Sequence, residues 1–152
     1  MKNQRFDIKT VIQVLKPANE VFEAIVDPEG LTRYFISEST GRMEPGKELI
    51  WRFPEFDMDV PVRIDKVEQD KFISFYWDAD GKEYPVEISL TPNGPEATVV
   101  RITEKGGDND DAGIKWLKEN TEGWANFLAC LKAYLEYGIN LRKGAFDFKP
   151  EK

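Results

Sequence analysis

The sequence predicts an α+β domain in which a curved antiparallel sheet wraps around a long C-terminal helix. Two observations support this prediction. Between Glu38 and Lys105, apolar residues recur with a period of two, which is typical of strands with one solvated face. Residues 122–138, EGWANFLACLKAYLEYG, instead repeat apolar side chains with the period of a helix. The apolar face of this helix therefore needs a partner, and the strands before it supply one.

A strand and two short helices are predicted before the main run of strands. Residues 5–16 alternate between apolar and polar side chains, as a half-buried strand does. Pro17 suits the start of a helix over ANEVFEAIV, and Asp27-Pro28 ends it because the residue before a proline disfavours the helical conformation. Leu31, Tyr34 and Phe35 then repeat at helical spacing. Six strands follow, separated by turn signals at residues 44–46, 70–71, 80–81 and 93–94.

The last helix is predicted to be single and to span about residues 110–137. Ile114 and Leu117 are in phase with Trp124, and Gly138 can take the left-handed conformation that ends a helix. Asn120 and Thr121 interrupt the apolar stripe. In the alternative interpretation, they mark a helix break, with Thr121 capping a second helix.

Length and composition predict one soluble domain over residues 1–138, with a tail over 139–152. The tail carries Phe146 and Phe148 and is expected to dock on the domain or on a partner subunit. The net charge of −7 disfavours nucleic acid as a partner. The N-terminus has no signal-peptide pattern and the chain has no membrane-spanning run, so we expect a cytoplasmic protein without a membrane partner.

Histidine is absent from the chain, which removes the usual general base and the commonest transition-metal ligand. We therefore expect no metal site and no cofactor. An enzyme would need an ionisable residue among the inward strand positions, where the pattern offers only Tyr84 and, from the short helices, Tyr34. Cys130 has no neighbouring base in the sequence and is interpreted as a small core residue.

Neither of two acidic segments is predicted to be a functional site. Residues 108–119 resemble a calcium loop, but Ala112 stands at a ligand position, and acidic residues at a helix N-terminus explain the segment. Glu55, Asp57 and Asp59 are in phase with one another and are predicted to face water.

The chain resembles the START-like, helix-grip superfamily (SRPBCC), and within it the branch related to the activator of Hsp90 ATPase. The residues that carry the resemblance are PANEVFEAIVDP at 17–28, Leu31 with Tyr34-Phe35, and the Gly-Trp and Leu-x-x-Leu-x-x-Tyr-Leu patterns within residues 122–136. The resemblance implies a cavity between the long helix and the sheet that takes lipids, polyketide-like compounds or other small apolar molecules. Its motifs are packing patterns, so they bear on the fold more than on function.

The sequence gives a reason to expect such a cavity here. Asn120 and Gly123 lie beside the row from Leu117 to Trp124, so polar or very small side chains leave room beneath the helix. Asn120, Thr121 and a tyrosine hydroxyl would orient the ligand. The alternative is that the aromatic side chains simply fill the core. The expected lining residues are Phe22, Tyr34, Phe35, Trp51, Phe53, Phe75, Trp77, Tyr84, Val86, Ile88, Trp116, Asn120, Thr121 and Trp124.

Binding of a small apolar ligand is therefore the leading functional hypothesis. The first alternative is a protein-interaction role like that of the Hsp90 activators, or self-association, with Phe146 and Phe148 as contacts. The second alternative is an enzyme of the cyclase or dehydratase type.

Overall fold

Seven strands and one long helix form the body of the part of the chain that the structure describes, which confirms the predicted α+β class. The structure is a computed structural model and describes residues 5–55, 57–79 and 82–148. Its elements in chain order are β1 (Phe6–Val14), α1 (Ala18–Val26), α2 (Pro28–Leu31), β2 (Glu38–Ser39), β3 (Glu48–Arg52), β4 (Val60–Glu68), β5 (Phe72–Ala79), β6 (Lys82–Pro92), β7 (Thr98–Gly107) and α3 (Asp111–Tyr137).

The strands form one antiparallel sheet in the order β1-β7-β6-β5-β4-β3-β2. From β2 to β7, neighbours in sequence are neighbours in the sheet, while β1 pairs with β7 at the far edge. The connection that carries α1 and α2 therefore leads from one edge of the sheet to the other. The predicted turn at residues 80–81 and the end of the tail at 149–152 lie outside the described residues.

The predicted boundaries of α1 and α3 are confirmed by their caps, whereas α2 ends at Leu31, so Tyr34 and Phe35 follow it in a turn. Asp27 ends α1, and its Oδ1 accepts a 3.0 Å hydrogen bond from the backbone N–H of Glu29 in α2. At the start of α3, Asp110 Oδ1 accepts a 2.7 Å hydrogen bond from the backbone N–H of Gly113. Gly138 ends α3 in the left-handed conformation at φ 68°. Glycine suits this position because it has no Cβ to oppose a positive φ.

The long helix α3 is continuous through Asn120 and Thr121, so the alternative of two helices is wrong. The Thr121 hydroxyl donates a hydrogen bond to the carbonyl of Leu117, one turn earlier. A threonine in the middle of a helix satisfies its hydroxyl in this way without breaking the backbone ladder.

One face of the sheet, here called the inner face, carries the buried side chains of alternate strand positions. Val62, Phe75, Val86 and Ile102 represent four successive strands on this face, and all are buried. Trp124, Leu128 and Leu131 bring the apolar face of α3 into the same core. No helix within the described residues is long and apolar enough to cross a membrane.

Candidate ligand-binding site

A buried carboxylate lies where the first half of α3 approaches the inner face of the sheet. Glu104 of β7 has none of its surface exposed. It follows Val100 and Ile102 at intervals of two, and both of these residues are also buried. Alternation along β7 therefore turns the carboxylate toward α3 rather than toward water.

Three neutral groups donate hydrogen bonds to Glu104. The indole Nε1 of Trp124 and the amide Nδ2 of Asn120 lie 2.7 and 3.2 Å from Oε1. The indole Nε1 of Trp77 lies 2.9 Å from Oε2. The two carboxylate oxygens thus receive donors from both the helix and the sheet. We name these four residues the Glu104 cluster.

Helix and strand periodicity together assemble the Glu104 cluster. Asn120 and Trp124 are four residues apart on α3, so they lie on the same face. In the sheet, Glu104 pairs with Val86 on β6, and Val86 pairs with Phe75 on β5. Trp77 follows Phe75 by two residues on the same face, from which its indole reaches Glu104.

Burial has a direct electrostatic consequence for Glu104. Removal from water raises the pKa of its carboxyl group, because the charged form loses its hydration. The hydrogen bonds from Trp77, Trp124 and Asn120 act in the opposite direction, because they stabilise the ionised form. The net direction is upward from the ordinary pKa of 4.5.

Aromatic rings surround this cluster on the side of β3 and the short helices. Trp77 and Trp124 have ring centroids 5.1 Å apart, and Phe35 lies 6.2 Å from Trp124 and 4.7 Å from Phe127. Trp51 lies 5.9 Å from Phe35. Further contacts bring in Phe53, at 5.2 Å from Phe35, and Phe75, at 5.6 Å from Trp51. Most of the predicted aromatic lining thus lies together.

Trp51 contributes an unsatisfied donor to this aromatic group. Only 1% of the residue is exposed, and its indole N–H has no hydrogen-bond acceptor among the described residues. Most buried polar groups in proteins are paired, so an unpaired indole N–H beside these rings is a candidate contact for a ligand.

Other predicted lining residues do not belong to the Glu104 cluster. Tyr84 stacks on Trp116 at 4.9 Å near the start of α3, where the Trp116 ring packs against the backbone of Gly107. The Tyr34 hydroxyl donates a 2.9 Å hydrogen bond to the carbonyl of Ala24, and burial raises the pKa of Tyr34 well above its ordinary value. The predicted lining residues Phe22, Val86 and Ile88 are buried in the core.

The predicted orienting hydroxyls differ from Asn120 in their partners. The Thr121 hydroxyl donates to Leu117 on its own helix, and the Tyr34 hydroxyl donates to Ala24. Neither hydroxyl joins the Glu104 cluster, whereas the Asn120 amide does.

The expectation that Gly123 leaves room beneath α3 is wrong. Gly123 is exposed, and a Cβ added there would meet no atom within 4 Å. The space beside Gly123 is open to solvent, because the buried contacts at this level are made by Trp124 on the adjoining side of the helix.

The sequence prediction also missed Glu104, since it found no convincing ionisable residue at the inward strand positions. The signal was present in the spacing of Thr98, Val100, Ile102 and Glu104, which places all four on one face of a strand. No such signal identified the partners, because Trp77, Asn120 and Trp124 come from two other elements.

The prediction for Glu55 is also wrong, because Glu55 does not face water. Its side chain is 6% exposed and forms a two-pronged ion pair with Arg142 of the tail, at 2.9 and 3.2 Å. The tail covers this carboxylate, and its sequence gave no indication of that contact. Asp57 and Asp59 do face solvent, as predicted, and both pair with Arg52.

A groove of about 460 Å³ lies between this part of the tail and the body of the domain. Tyr34, Phe35, Pro54, Glu55 and Arg142 are among its lining residues. Phe35 belongs both to this groove and to the aromatic group around Trp124. The groove therefore reaches the edge of the aromatic group from outside.

The remaining candidate residues have structural roles. Asp108 pairs with Lys82 at 3.1 Å and with Arg5 at 3.5 Å, and Asp110 caps α3, which accounts for the acidic segment. Cys130 is buried, and burial raises the pKa of its thiol. No group of three or more Cys, Asp or Glu side chains within the described residues is placed to hold a metal ion.

Comparison with known proteins identifies the family. The family of activator of Hsp90 ATPase homolog 1-like proteins matches residues 16–136. The crystal structure of the protein SSP2350 from Staphylococcus saprophyticus is 39% identical, with a TM-score of 0.79, and the match covers 90% of this chain and 96% of that one. No curated protein matches the chain.

Two further structures extend this likeness. DynU16, a protein in the dynemicin biosynthetic locus, is 25% identical with a TM-score of 0.78; the match covers 88% of this chain and 48% of DynU16, so the chain spans about half of that protein. The Aha1 dimer from Colwellia psychrerythraea shares the fold at 19% identity and a TM-score of 0.75, covering 88% of this chain and 98% of that one. The chain therefore belongs to the family of activator of Hsp90 ATPase homolog 1-like proteins.

Proposed function

We propose that this protein binds a small, mainly apolar ligand between α3 and the inner face of the sheet. The observation that carries the proposal is the Glu104 cluster, a buried carboxylate held by three neutral donors beside a group of aromatic rings. Small-molecule sites in proteins combine apolar walls with a few well-placed polar groups, and this arrangement has both.

Energetics favour a binding role over a purely structural one for Glu104. Burial of a carboxylate costs free energy that hydrogen bonds recover only in part, and an apolar side chain at the same position would pack without that cost. Val100 and Ile102, on the same face of β7, are apolar and fully buried, as is common on the inner face of a sheet. A ligand that forms a hydrogen bond to the carboxylate would explain why position 104 is Glu rather than an apolar residue.

The groove beside Phe35 provides the access route in this proposal. Phe35 lines the groove and its ring lies 6.2 Å from Trp124, while Arg142 lies 5.6 Å from the Phe35 ring. A ligand would therefore enter past the Phe35 ring. Similarity to DynU16, from a biosynthetic locus, is consistent with a small-molecule ligand.

Native mass spectrometry of the freshly purified protein tests this function. We expect a stoichiometric adduct that is lost on denaturation and can be recovered by solvent extraction. A second measurement adds the neutral dye N-phenyl-1-naphthylamine and follows energy transfer from tryptophan. A bare protein mass together with no saturable energy transfer would reject the proposal.

Substitution of Asn120 by Leu provides a site-specific variant for the dye measurement. The change removes one donor to Glu104 and adds apolar bulk beside it, so dye affinity should fall. Glu119→Leu, at an exposed position on the same helix, is the matched control and should bind the dye like the original protein.

A second candidate function is self-association through the end of the chain. Tyr137, Ile139 and Leu141 follow one another just past the core part of α3, and each is at least half exposed. The two predicted contact residues of the tail differ in exposure. Phe146 is half-buried, with its ring 4.9 Å from the Arg142 guanidinium, whereas Phe148 is exposed. The likeness to a protein described as the Aha1 dimer also favours this candidate.

Sedimentation velocity tests the second candidate. The paired change Ile139→Glu and Leu141→Glu should convert a dimer to a monomer. Ile114→Glu, at an exposed apolar position near the start of α3, is the control. A monomeric original protein, or a dimer unaffected by the paired change, would reject self-association through this segment.

A further inference from the structure

The charge at the Glu104 cluster limits which ligands can bind beside it. The donors to Glu104 are two indole N–H groups and an amide, all of which are neutral. None of the ion pairs formed by the described residues includes Glu104. The convergence of donors on both oxygens fits the ionised carboxylate, which only accepts hydrogen bonds. A second anion placed here would meet uncompensated repulsion in a water-poor interior.

Two hydrogen-bonding positions are left over near the Trp77 ring, one on Glu104 and one on Trp51. A carboxylate oxygen can accept about two hydrogen bonds. Oε1 receives two from Asn120 and Trp124, while Oε2 receives one, from Trp77, within the described residues. The indole N–H of Trp51 has no acceptor there. The Trp51 and Trp77 rings are neighbours, with centroids 6.3 Å apart.

A hydroxyl group can satisfy either position, because it donates one hydrogen bond and accepts another. It would donate its proton to Oε2 of Glu104, or accept from the indole N–H of Trp51 where the ligand reaches that ring. A hydrocarbon would leave both positions unfilled, while a carboxylate could accept from Trp51 but would oppose Glu104. The surrounding rings of Trp77, Trp124 and Phe35 favour a ligand that is itself aromatic, through offset or edge contacts.

We infer that the ligand is a neutral aromatic compound that carries a hydroxyl group, and that anionic ligands such as fatty acids are excluded. This inference rests on the proposed function, of which it specifies the ligand class. It assigns two selective groups to the site: Glu104 rejects anions, and Trp51 selects a hydrogen-bond acceptor.

Three probes with the same ring system test this inference. We would measure the affinities of 1-naphthol, naphthalene and 1-naphthoate by calorimetry at neutral pH. One additional hydrogen bond to a charged group corresponds to about tenfold in affinity or more, so 1-naphthol should bind at least about tenfold more tightly than either other probe. Equal or tighter binding of 1-naphthoate would overturn the inference and leave the proposed function standing. Failure of all three probes to bind would overturn both.

Two substitutions separate the roles of Glu104 and Trp51. Glu104→Gln removes the charge and should improve 1-naphthoate binding at least about tenfold, whereas Glu87→Gln, on the outward face of the neighbouring strand, should not. Trp51→Phe removes the free N–H and should abolish the preference for 1-naphthol over naphthalene. Tyr76→Phe, which removes a donor beneath Arg63 on the outward face of β5, is its control. Unchanged selectivity in both Glu104→Gln and Trp51→Phe, with native-like circular dichroism, would overturn the assignment.

Discussion

The two halves of α3 use the same helical stripe for different kinds of contact. In the second half, Phe127, Leu128 and Leu131 are buried among apolar groups, and Tyr134 stacks on Tyr34 at 5.4 Å. In the first half, Asn120 and Trp124 direct N–H groups at a buried carboxylate. An apolar stripe therefore identifies the buried face of a helix but not the chemistry beneath it. We interpret the second half as the anchor of the fold and the first half as the selective part of the site.

Stability should depend most strongly on the second half of α3. Leu131 has none of its surface exposed, so Leu131→Ala removes apolar contacts and leaves a cavity. We expect a loss of about 2–5 kcal/mol in the free energy of unfolding. Urea denaturation measures it, with the exposed Ile114→Ala as a control expected within about 0.5 kcal/mol of the original protein. Similar losses for both variants would mean that burial does not distinguish these positions.

Replacement of Glu104 by Leu should have a smaller effect, in the first half. The change removes the cost of a buried charge but strands the donors of Trp77, Trp124 and Asn120. Each stranded donor costs about 1–3 kcal/mol, and we expect a net loss of the same order because the two terms oppose each other. Urea denaturation at neutral pH measures the difference. A more stable variant would show that the donors find other acceptors, contrary to the hydrogen bonding described above.

Gly107→Ala should perturb the start of α3 by about 1–3 kcal/mol. An added Cβ would overlap the Trp116 ring, which must then move away from β7. The indole resonance of Trp116 should shift. The ring resonances of Tyr34, which packs against the second half of α3, should not shift. Thermal unfolding measures the stability. Gly123→Ala is the matched control, because a Cβ added there meets no atom within 4 Å, and it should not destabilise the protein. An unmoved Trp116 resonance would contradict the contact.

The smallest expected effect is a pH dependence specific to Glu104. Its pKa in the folded state lies above the ordinary 4.5, with burial as the main cause. Its contribution to stability is therefore fully present below pH 4.5 and is lost as the pH rises through the raised pKa. Between pH 4.5 and the raised pKa, the free energy of unfolding of the original protein should therefore fall relative to that of Glu104→Gln. Glu23, whose pKa is lowered by its hydrogen bond from Arg42, acts in the opposite direction but is common to both proteins and cancels. A difference that grows in favour of the original protein with rising pH would have the wrong sign.

The fold could be predicted because its determinants are local. The period of two along the strands, the helical stripe and Gly138 each act through neighbouring residues, and their predicted positions agree with the structure. The candidate site depends instead on contacts between distant segments. Glu104 meets Trp77 from 27 positions earlier and Asn120 from 16 positions later. Glu55 meets Arg142 across 87 positions, and no local pattern encodes that pairing.

An NMR titration of the indole N–H resonances with 1-naphthol would show whether a ligand enters beside Glu104. The chain has four tryptophans, so four signals can be assigned by substitution of each tryptophan with Phe. We predict saturable shifts that are largest at Trp51, which gains an acceptor, with shifts at Trp77 and Trp124 and a smaller one at Trp116. Shifts confined to Trp116, or an unchanged spectrum at saturating 1-naphthol, would contradict a ligand site at Glu104.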